Sequence, residues 1–282
     1  MKIEPATQRA FSGKTVLLTG GASGIGRALT LRLVACGAHV HAADRDPAGL
    51  DQLVAEAQAQ GAPGKITPRV LDVTDREDYG RWVAECVAAS GTIDFLFNNA
   101  GVTLLGEVHK VPFERWRWLL DINLMGVLNG VIHVYPIMVK QGHGHLVSTG
   151  SVAGVTGYAT AAAYTTAKNA VIGMTESLAA EAVGHGVKVS VACPGYVNSN
   201  IFSQDRVVGA KVDEVLGDLP APMMTPDQAA MLYLRGVAAG KREIVFPAAT
   251  PFKVSSAARP ASIMPKPISS ICFSVLSKFD RR

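Results

Sequence analysis

The chain has 282 residues, 48% of them hydrophobic with glycines spread throughout, and a net charge of +4 at pH 7, a composition that fits one large domain with a sizeable buried core. Residues 251–282 hold six cations against Asp280 alone, a balance of +5 that leaves the remainder at −1, so the basic excess belongs to a tail and the charge excludes a nucleic-acid-binding surface on the domain itself. The four cysteines, Cys36, Cys86, Cys193 and Cys272, lack paired spacing, and Met1 to Phe11 carries Lys2, Glu4, Gln8 and Arg9 without an apolar run; neither a disulfide framework nor a secretory leader is expected, and a reducing cytoplasm is the expected compartment.

An apolar strand is predicted over Thr15 to Thr19, running into Gly20-Gly21-Ala22-Ser23-Gly24-Ile25-Gly26 and then into a helix over Arg27 to Cys36. Glycines at such a turn admit positive φ and close backbone approach, and the free amides of the helix N-terminus attract a pyrophosphate. The spacing differs from the commoner Gly-x-Gly-x-x-Gly fingerprint, and an ordinary tight connection would also account for it. The next strand, His39 to Ala43, ends in Asp44, about where a ribose-binding acid is expected. Further strands are predicted at Ile66 to Leu71, Phe95 to Asn98, His145 to Thr149, Lys188 to Cys193 and Glu243 to Phe246. Helical patterns lie between them at Ala48 to Gln60, Glu77 to Ala89, Phe113 to Lys140, Tyr164 to His185 and Pro226 to Ala239. Such alternation implies an α/β fold, a parallel sheet with helices on both faces, right-handed crossovers and ligands at the carboxyl ends of the strands. Asn123 to Val139 is rich in Leu, Val, Ile and Met, but Asn129, His133 and Pro136 interrupt it and it is short for a bilayer, so a buried interface helix is expected.

Ser151, Tyr164 and Lys168 are the candidates for chemistry. A free phenol titrates near pH ~10 and is a poor base at neutral pH. Residues i and i+4 share a helical face, so the Lys168 ammonium is expected close to the Tyr164 oxygen, favouring its charged form and making it a general acid or base. Ser151 precedes that helix by the small-residue loop Val152 to Ala163, which could return its hydroxyl to the same place. Three groups would then converge on one alcohol or carbonyl oxygen. Alone, Tyr-x-x-x-Lys also describes an exposed polar pair; its position behind the glycine turn and Asp44 favours the site.

In this order the motifs resemble those of the short-chain dehydrogenase/reductase family over roughly Gly13 to Phe246. Thr19 to Gly26 match its cofactor turn, Asp72-Val73 its adenine-contacting pair, and Asn98-Asn99-Ala100-Gly101 the segment after its fourth strand. Ser151, Tyr164 and Lys168 match its catalytic residues, Asn123 an asparagine that holds a water between the lysine and solvent, and Pro194-Gly195 a turn against the nicotinamide. The resemblance implies a Rossmann-type, doubly wound, seven-stranded parallel sheet and a catalytic set of Asn123, Ser151, Tyr164 and Lys168. It also implies dinucleotide contacts from Gly20, Ser23, Gly24, Ile25, Gly26, Asp44, Arg45, Asp72, Val73, Asn99, Ala100, Gly101, Tyr164, Lys168, Pro194, Gly195, Val197 and Ser199. A homodimer or homotetramer is implied too, with the Asn123 and Tyr164 helices against a second subunit. Ala167 stands where many members have serine, and Ser199 where a threonine often contacts the carboxamide; neither departure removes a catalytic group.

Asp44 would repel the 2′-phosphate of NADP and accept a hydrogen bond from the 2′-hydroxyl of NAD, and Ser23 occupies the place where NADP-preferring members often have a basic residue. NAD is therefore expected, with NADP left open by Arg45. The resemblance implies that the loop Asn198 to Pro222 roofs the pocket; the segments Val102 to Leu105 and Val152 to Ala163 at its sides are largely apolar or small, with Tyr158 and Tyr196 as possible lids. They suit a lipophilic, hydroxysteroid-like secondary alcohol or its ketone. The expected activity is NAD-dependent interconversion of the two. An NADPH-dependent carbonyl or 3-oxoacyl reductase and a non-catalytic dinucleotide-binding protein are the alternatives.

His143-Gly144-His145 has a chelating spacing, but no Cys, Asp or Glu stands beside it, and a turn entering a strand is expected rather than a metal site. Residues 1–250 are expected to form the catalytic domain. In the tail, Ile268, Ile271, Cys272, Val275, Leu276 and Phe279 recur at helical spacing behind Pro260, Pro265 and Pro267. That amphipathic helix is expected to dock on its own domain or on a neighbouring subunit, with peripheral contact to an anionic membrane as the other possibility.

Overall fold

A computed structural model of the chain describes residues 3–209 and 223–247. The strands are β1 (Thr15–Thr19), β2 (His39–Asp44), β3 (Lys65–Val70), β4 (Phe95–Asn98), β5 (Gly144–Thr149), β6 (Val187–Pro194) and β7 (Glu243–Phe246). All neighbours pair in parallel, in the order β3-β2-β1-β4-β5-β6-β7. Successive strands step outward from β1 to one edge, and the chain then returns to the other side of β1 at β4. That reversal leaves a crevice at the carboxyl ends of β1 and β4.

Burial on both faces explains why the strands are nearly continuous apolar runs rather than alternating ones. Val16 and Leu18 of β1 join a core with Leu29 and Leu33 of α2 (Gly24–Ala35), Leu50 and Leu53 of α3 (Pro47–Ala59), and Leu234 and Val237 of α8 (Pro226–Ala238). Leu17 points the other way, into a core with Tyr79 and Trp82 of α4 (Arg76–Ser90), Val131 and Val134 of α6 (Gly126–Gln141), and Leu178 of α7 (Ala162–Glu181). The Arg32 guanidinium grips both Asp227 carboxylate oxygens, at 2.7 and 2.6 Å, tying α2 to α8. Pro68 lies in β3, which pairs with β2 alone, so its missing N–H falls on a sheet edge where no ladder bond is lost.

Two elements depart from the sequence expectations. The lead-in to β1 contains a short helix, α1 (Pro5–Phe11), anchored by the fully buried Phe11, whose ring stands 4.9 Å from that of Phe95. Two turns are too short to show a periodic pattern. The helix expected over Phe113 to Lys140 is α5 (Phe113–Leu120), a π-helical turn (Asp121–Met125) and α6. Its full run, Phe113–Gln141, has 29 residues and is long and apolar enough in composition to span a bilayer, the stretch Asn123 to Val139 being only part of it. Polar bonds fix it inside the fold: Asn129 Nδ2 donates to the Val73 carbonyl at 2.8 Å, and the His133 ring bonds the Arg76 carbonyl at 3.1 Å. The predicted tail helix and residues 210–222 of the predicted substrate loop lie outside the described residues.

Candidate active site

The glycine turn between β1 and α2 is closed against its neighbours. Gly20 and Gly24 have φ of 72° and 52°, in the left-handed region that disfavours side chains. A Cβ on Gly26 would stand 1.9 Å from the Gly20 carbonyl oxygen, and one on Gly20 would stand 2.8 Å from the Ala100 Cα. Asn99 Nδ2 donates to the carbonyls of Thr19 and Gly20 at 3.1 and 3.3 Å, and Thr19 Oγ1 accepts from the amides of Asn99 and Ala100 at 3.1 and 3.2 Å. Asn99 therefore fastens the turn to the segment after β4. Ser23 caps α2 without a side-chain hydrogen bond, which leaves the first helical amides for an anion.

At the end of β2 the Asp44 carboxylate accepts from the Ala22 amide at 2.9 Å and the Asp46 amide at 3.1 Å. The acid is thus held between the strand end and the glycine turn. Asp72 Oδ1 accepts from the Thr74 amide and hydroxyl, at 2.9 and 2.7 Å, which shapes the bend after β3. One cleft of about 390 Å³ is lined by every residue expected to touch a dinucleotide and by Ser151, Tyr164 and Lys168. The donor set and the side-chain-free cradle fit a dinucleotide.

Asn123 is the one expected site residue that does not line the cleft. It lies fully buried in the π-helical turn, its Oδ1 accepting from the Val102 amide and its Nδ2 donating to the Val102 carbonyl, both at 2.8 Å. Gly101 separates it from the cleft: a Cβ there would stand 3.3 Å from Asn123 Oδ1 and 3.4 Å from Lys168 Nζ.

Ser151 follows β5, and its Oγ accepts from the Ala153 amide at 3.1 Å. Tyr164 and Lys168 stand on the first turns of α7, with Lys168 Nζ 5.8 Å from the Tyr164 ring centre. Lys168 Nζ also donates to the Thr149 carbonyl at 2.9 Å. Burial pushes the Tyr164 phenol above its ordinary value, and a hydrogen bond with Ser151 works against that rise. Burial also draws Lys168 down to about 8. The sequence expectation that Lys168 holds the phenol in its charged form is corrected here: in the chain itself desolvation of the phenol is the largest effect, because both groups are enclosed.

The sequence reading missed the Thr149 carbonyl, a backbone group with no residue signature, and Arg206, whose Nη1 donates to the carbonyls of Asn200 and Ile201 at 3.2 and 3.1 Å beside the cleft. In the sequence Arg206 is one of several charges in the predicted substrate loop, directly after Asp205. The two histidines of His143-Gly144-His145 diverge: the His145 ring bonds Ser190 Oγ at 2.7 Å in the core, whereas the His143 ring bonds the Gln141 carbonyl at 3.2 Å.

A cleft with a glycine turn and free helix amides fit for a pyrophosphate at one end, and a phenol, a hydroxyl and an amine at the other, has the makings of a dinucleotide-dependent oxidoreductase. Residues 14–207 match the family model described as short chain dehydrogenase. The chain therefore belongs to the short-chain dehydrogenase/reductase family. It is 41% identical over 189 residues, 67% of this chain and 76% of the relative, to the 3-oxoacyl-(acyl-carrier-protein) reductase FabG of Thermotoga maritima. It is 40% identical over 197 residues, 69% of this chain and 76% of the relative, to the 2,5-dichloro-2,5-cyclohexadiene-1,4-diol dehydrogenase of Sphingobium indicum. Among solved structures, a short-chain dehydrogenase/reductase from Burkholderia phymatum in complex with NAD superposes with a TM-score of 0.75 at 27% identity, covering 84% of this chain and 89% of that one.

Proposed function

We propose that this chain is an NAD-dependent dehydrogenase that interconverts a lipophilic secondary alcohol, cyclic or hydroxysteroid-like, and its ketone. The observation that carries this is the set of buried Ser151 and Lys168 with half-buried Tyr164 at one end of a cleft whose other end holds the Asp44 carboxylate. A bound nicotinamide supplies or accepts the hydride. The chain's own residues handle the proton and the substrate oxygen. Ser151 holds that oxygen; Tyr164, a phenol that keeps its proton at neutral pH and that burial raises further, gives a proton to the oxygen of a ketone undergoing reduction and takes one back in oxidation. Lys168 holds the nicotinamide ribose and offsets charge on the phenolate, and Asn123 supports proton exchange with water from behind Gly101. Asp44 selects NAD by repelling a 2′-phosphate. The walls near the proton-handling set include Val102, Leu105, Ile122, Ile201 and Phe202, which suits an uncharged hydrocarbon frame. We further propose a homo-oligomer in which a second copy covers the exposed Phe113, Met125 and Ile132.

The Sphingobium relative, named for a cyclic diol, supports a ring alcohol; the Thermotoga relative favours a second reading, an NADPH-dependent 3-oxoacyl reductase. A panel of cyclohexanol, hydroxysteroids, acyclic secondary alcohols and a 3-oxoacyl thioester, run with each cofactor and followed by absorbance of the reduced nicotinamide, separates the two. The expected result is a higher kcat/KM with NAD and a cyclic alcohol. Tyr164→Phe should lower turnover by at least about 100-fold while NADH still binds. Preference for NADPH and the thioester would move the chain to the second reading, and retained turnover in Tyr164→Phe would remove the mechanism.

A further inference from the structure

The substrate end of the cleft carries two phenols that the proton-handling set does not use. Tyr158 lies in the loop between Ser151 and α7, Tyr196 follows Pro194-Gly195 at the end of β6, and both line the cleft. Their rings meet edge to face, with centres 6.5 Å apart and planes at 74°. A phenol has a single proton to donate. Even where the two hydroxyls bond to each other, one donates and the other accepts, which leaves the acceptor's own O–H unspent. Among the described residues no further hydrogen bond engages either hydroxyl.

Both rings are firmly mounted. The Tyr196 carbonyl accepts from the Met224 amide at 2.9 Å, and the Asn198 amide donates to the Met224 carbonyl at 2.9 Å, pinning the strand exit. The Tyr158 carbonyl accepts from the Ala161 amide at 3.2 Å. Between them stands Thr160, a β-branched residue with φ of 66° whose carbonyl accepts from the Gly106 amide at 2.7 Å. A non-glycine residue stays in that region only where its surroundings over-determine the backbone, and such strain collects at ligand clamps. The pair is therefore set in place before a ligand arrives, and its unspent O–H stands in a wall that includes the apolar Val102, Leu105, Ile122, Ile201 and Phe202 along with Thr103, Asn200 and Arg206. Such a donor calls for an acceptor on the ligand, and the reacting oxygen is already claimed by Ser151 and Tyr164.

We propose that the Tyr158–Tyr196 pair is a specificity element selecting ring-bearing substrates that carry a second neutral oxygen, hydroxyl or keto, besides the one at the reacting carbon. The phenol O–H donates to that second oxygen, and the two aromatic rings pack against the substrate's hydrocarbon frame. This rests on the alcohol dehydrogenase reading above. The test compares wild type with the double variant Tyr158→Phe/Tyr196→Phe, which keeps both rings and removes both hydroxyls, using cyclohexanol and a cyclohexanediol as substrates. The ratio of kcat/KM, diol over monool, should fall about tenfold, because a site built to hydrogen-bond an oxygen discriminates through it. The two single Phe variants should fall between. Calorimetric titration of each alcohol into the protein saturated with NADH reads the same preference without turnover. An unchanged ratio in both measurements overturns the proposal. Absent turnover with a calorimetric preference for the diol that the double variant loses would retain it and reject the dehydrogenase reading instead.

Discussion

Tyr164 and Lys168 are enclosed together, and enclosure moves them in opposite directions, the phenol above its ordinary value and the amine down to about 8. Near neutral pH the phenol keeps its proton and the lysine is still largely charged, an arrangement ready for ketone reduction. Charge on Lys168 then becomes the quantity that pH controls. In the proposed mechanism its ammonium holds the nicotinamide ribose, and a charge-assisted hydrogen bond is worth about 1.5–3 kcal/mol. Lys168→Met should therefore weaken NADH binding by about tenfold or more, measured by fluorescence titration. In wild type the affinity should fall as pH rises through about 8, where the ammonium is lost, and in the variant it should be flat over that range. A wild-type affinity that ignores pH between 7 and 9 would separate Lys168 from cofactor binding. The residue types at this site were legible in the sequence. Their protonation was not, because desolvation depends on what the rest of the fold stacks around them.

At the scale of elements, the turn from β1 to α2 is the most constrained piece of the cleft. A methyl group on Gly26 would overlap the Gly20 carbonyl at 1.9 Å and stand 2.6 Å from the Asn99 amide nitrogen, so the turn must open and the clasp from Asn99 must shift. Overpacking of this kind costs about 1–3 kcal/mol. Gly26→Ala is expected to lower stability by that amount in urea melts and to weaken NADH at least about tenfold, whereas Gly184→Ala, with open space around the added Cβ, should leave NADH binding unchanged. Equal affinity in both variants would dissociate the turn from the cofactor. Elements of this kind were readable because glycine and apolar runs leave marks in sequence: β1, β4 and β7 have the predicted ends. The π-helical turn at Asn123 left none, since Leu120 to Val127 carries a pattern any helix could carry, and the extra residue in the turn is forced by the reciprocal bonds between Asn123 and Val102. Helix α1 escaped for a related reason: its stability comes from Phe11 meeting Phe95 across 84 positions of chain.

For the whole molecule, parallel pairing buries imidazoles that the sequence shows only as alternating letters. His41 in β2 and His145 in β5 are nearly sealed, and burial draws each down to about 4; for His41 the neighbouring His39, with ring centres 4.3 Å apart, adds to the effect. Unfolded, each imidazole titrates near ~6.5. Between about pH 6.5 and 4 the unfolded chain therefore binds protons that the folded chain refuses, and stability falls as pH falls through that window. Above it both states are neutral at these positions, and nothing is lost. Each site is worth roughly 3 kcal/mol at the acid end, since one pKa unit corresponds to about 1.4 kcal/mol. Two such sites together rival the roughly 5–15 kcal/mol that keeps an ordinary domain folded. The urea midpoint should hold steady near pH 7 to 8 and drop steeply from pH 6.5 toward 4.5, above the range where most carboxylates protonate. His145→Asn removes one of the two titrations while leaving an amide that can still face Ser190 Oγ, its partner at 2.7 Å. That variant should start lower at pH 7.5 yet lose less stability on the way to pH 4.5. An identical slope in the two proteins would show that the acid sensitivity arises from groups other than this buried imidazole.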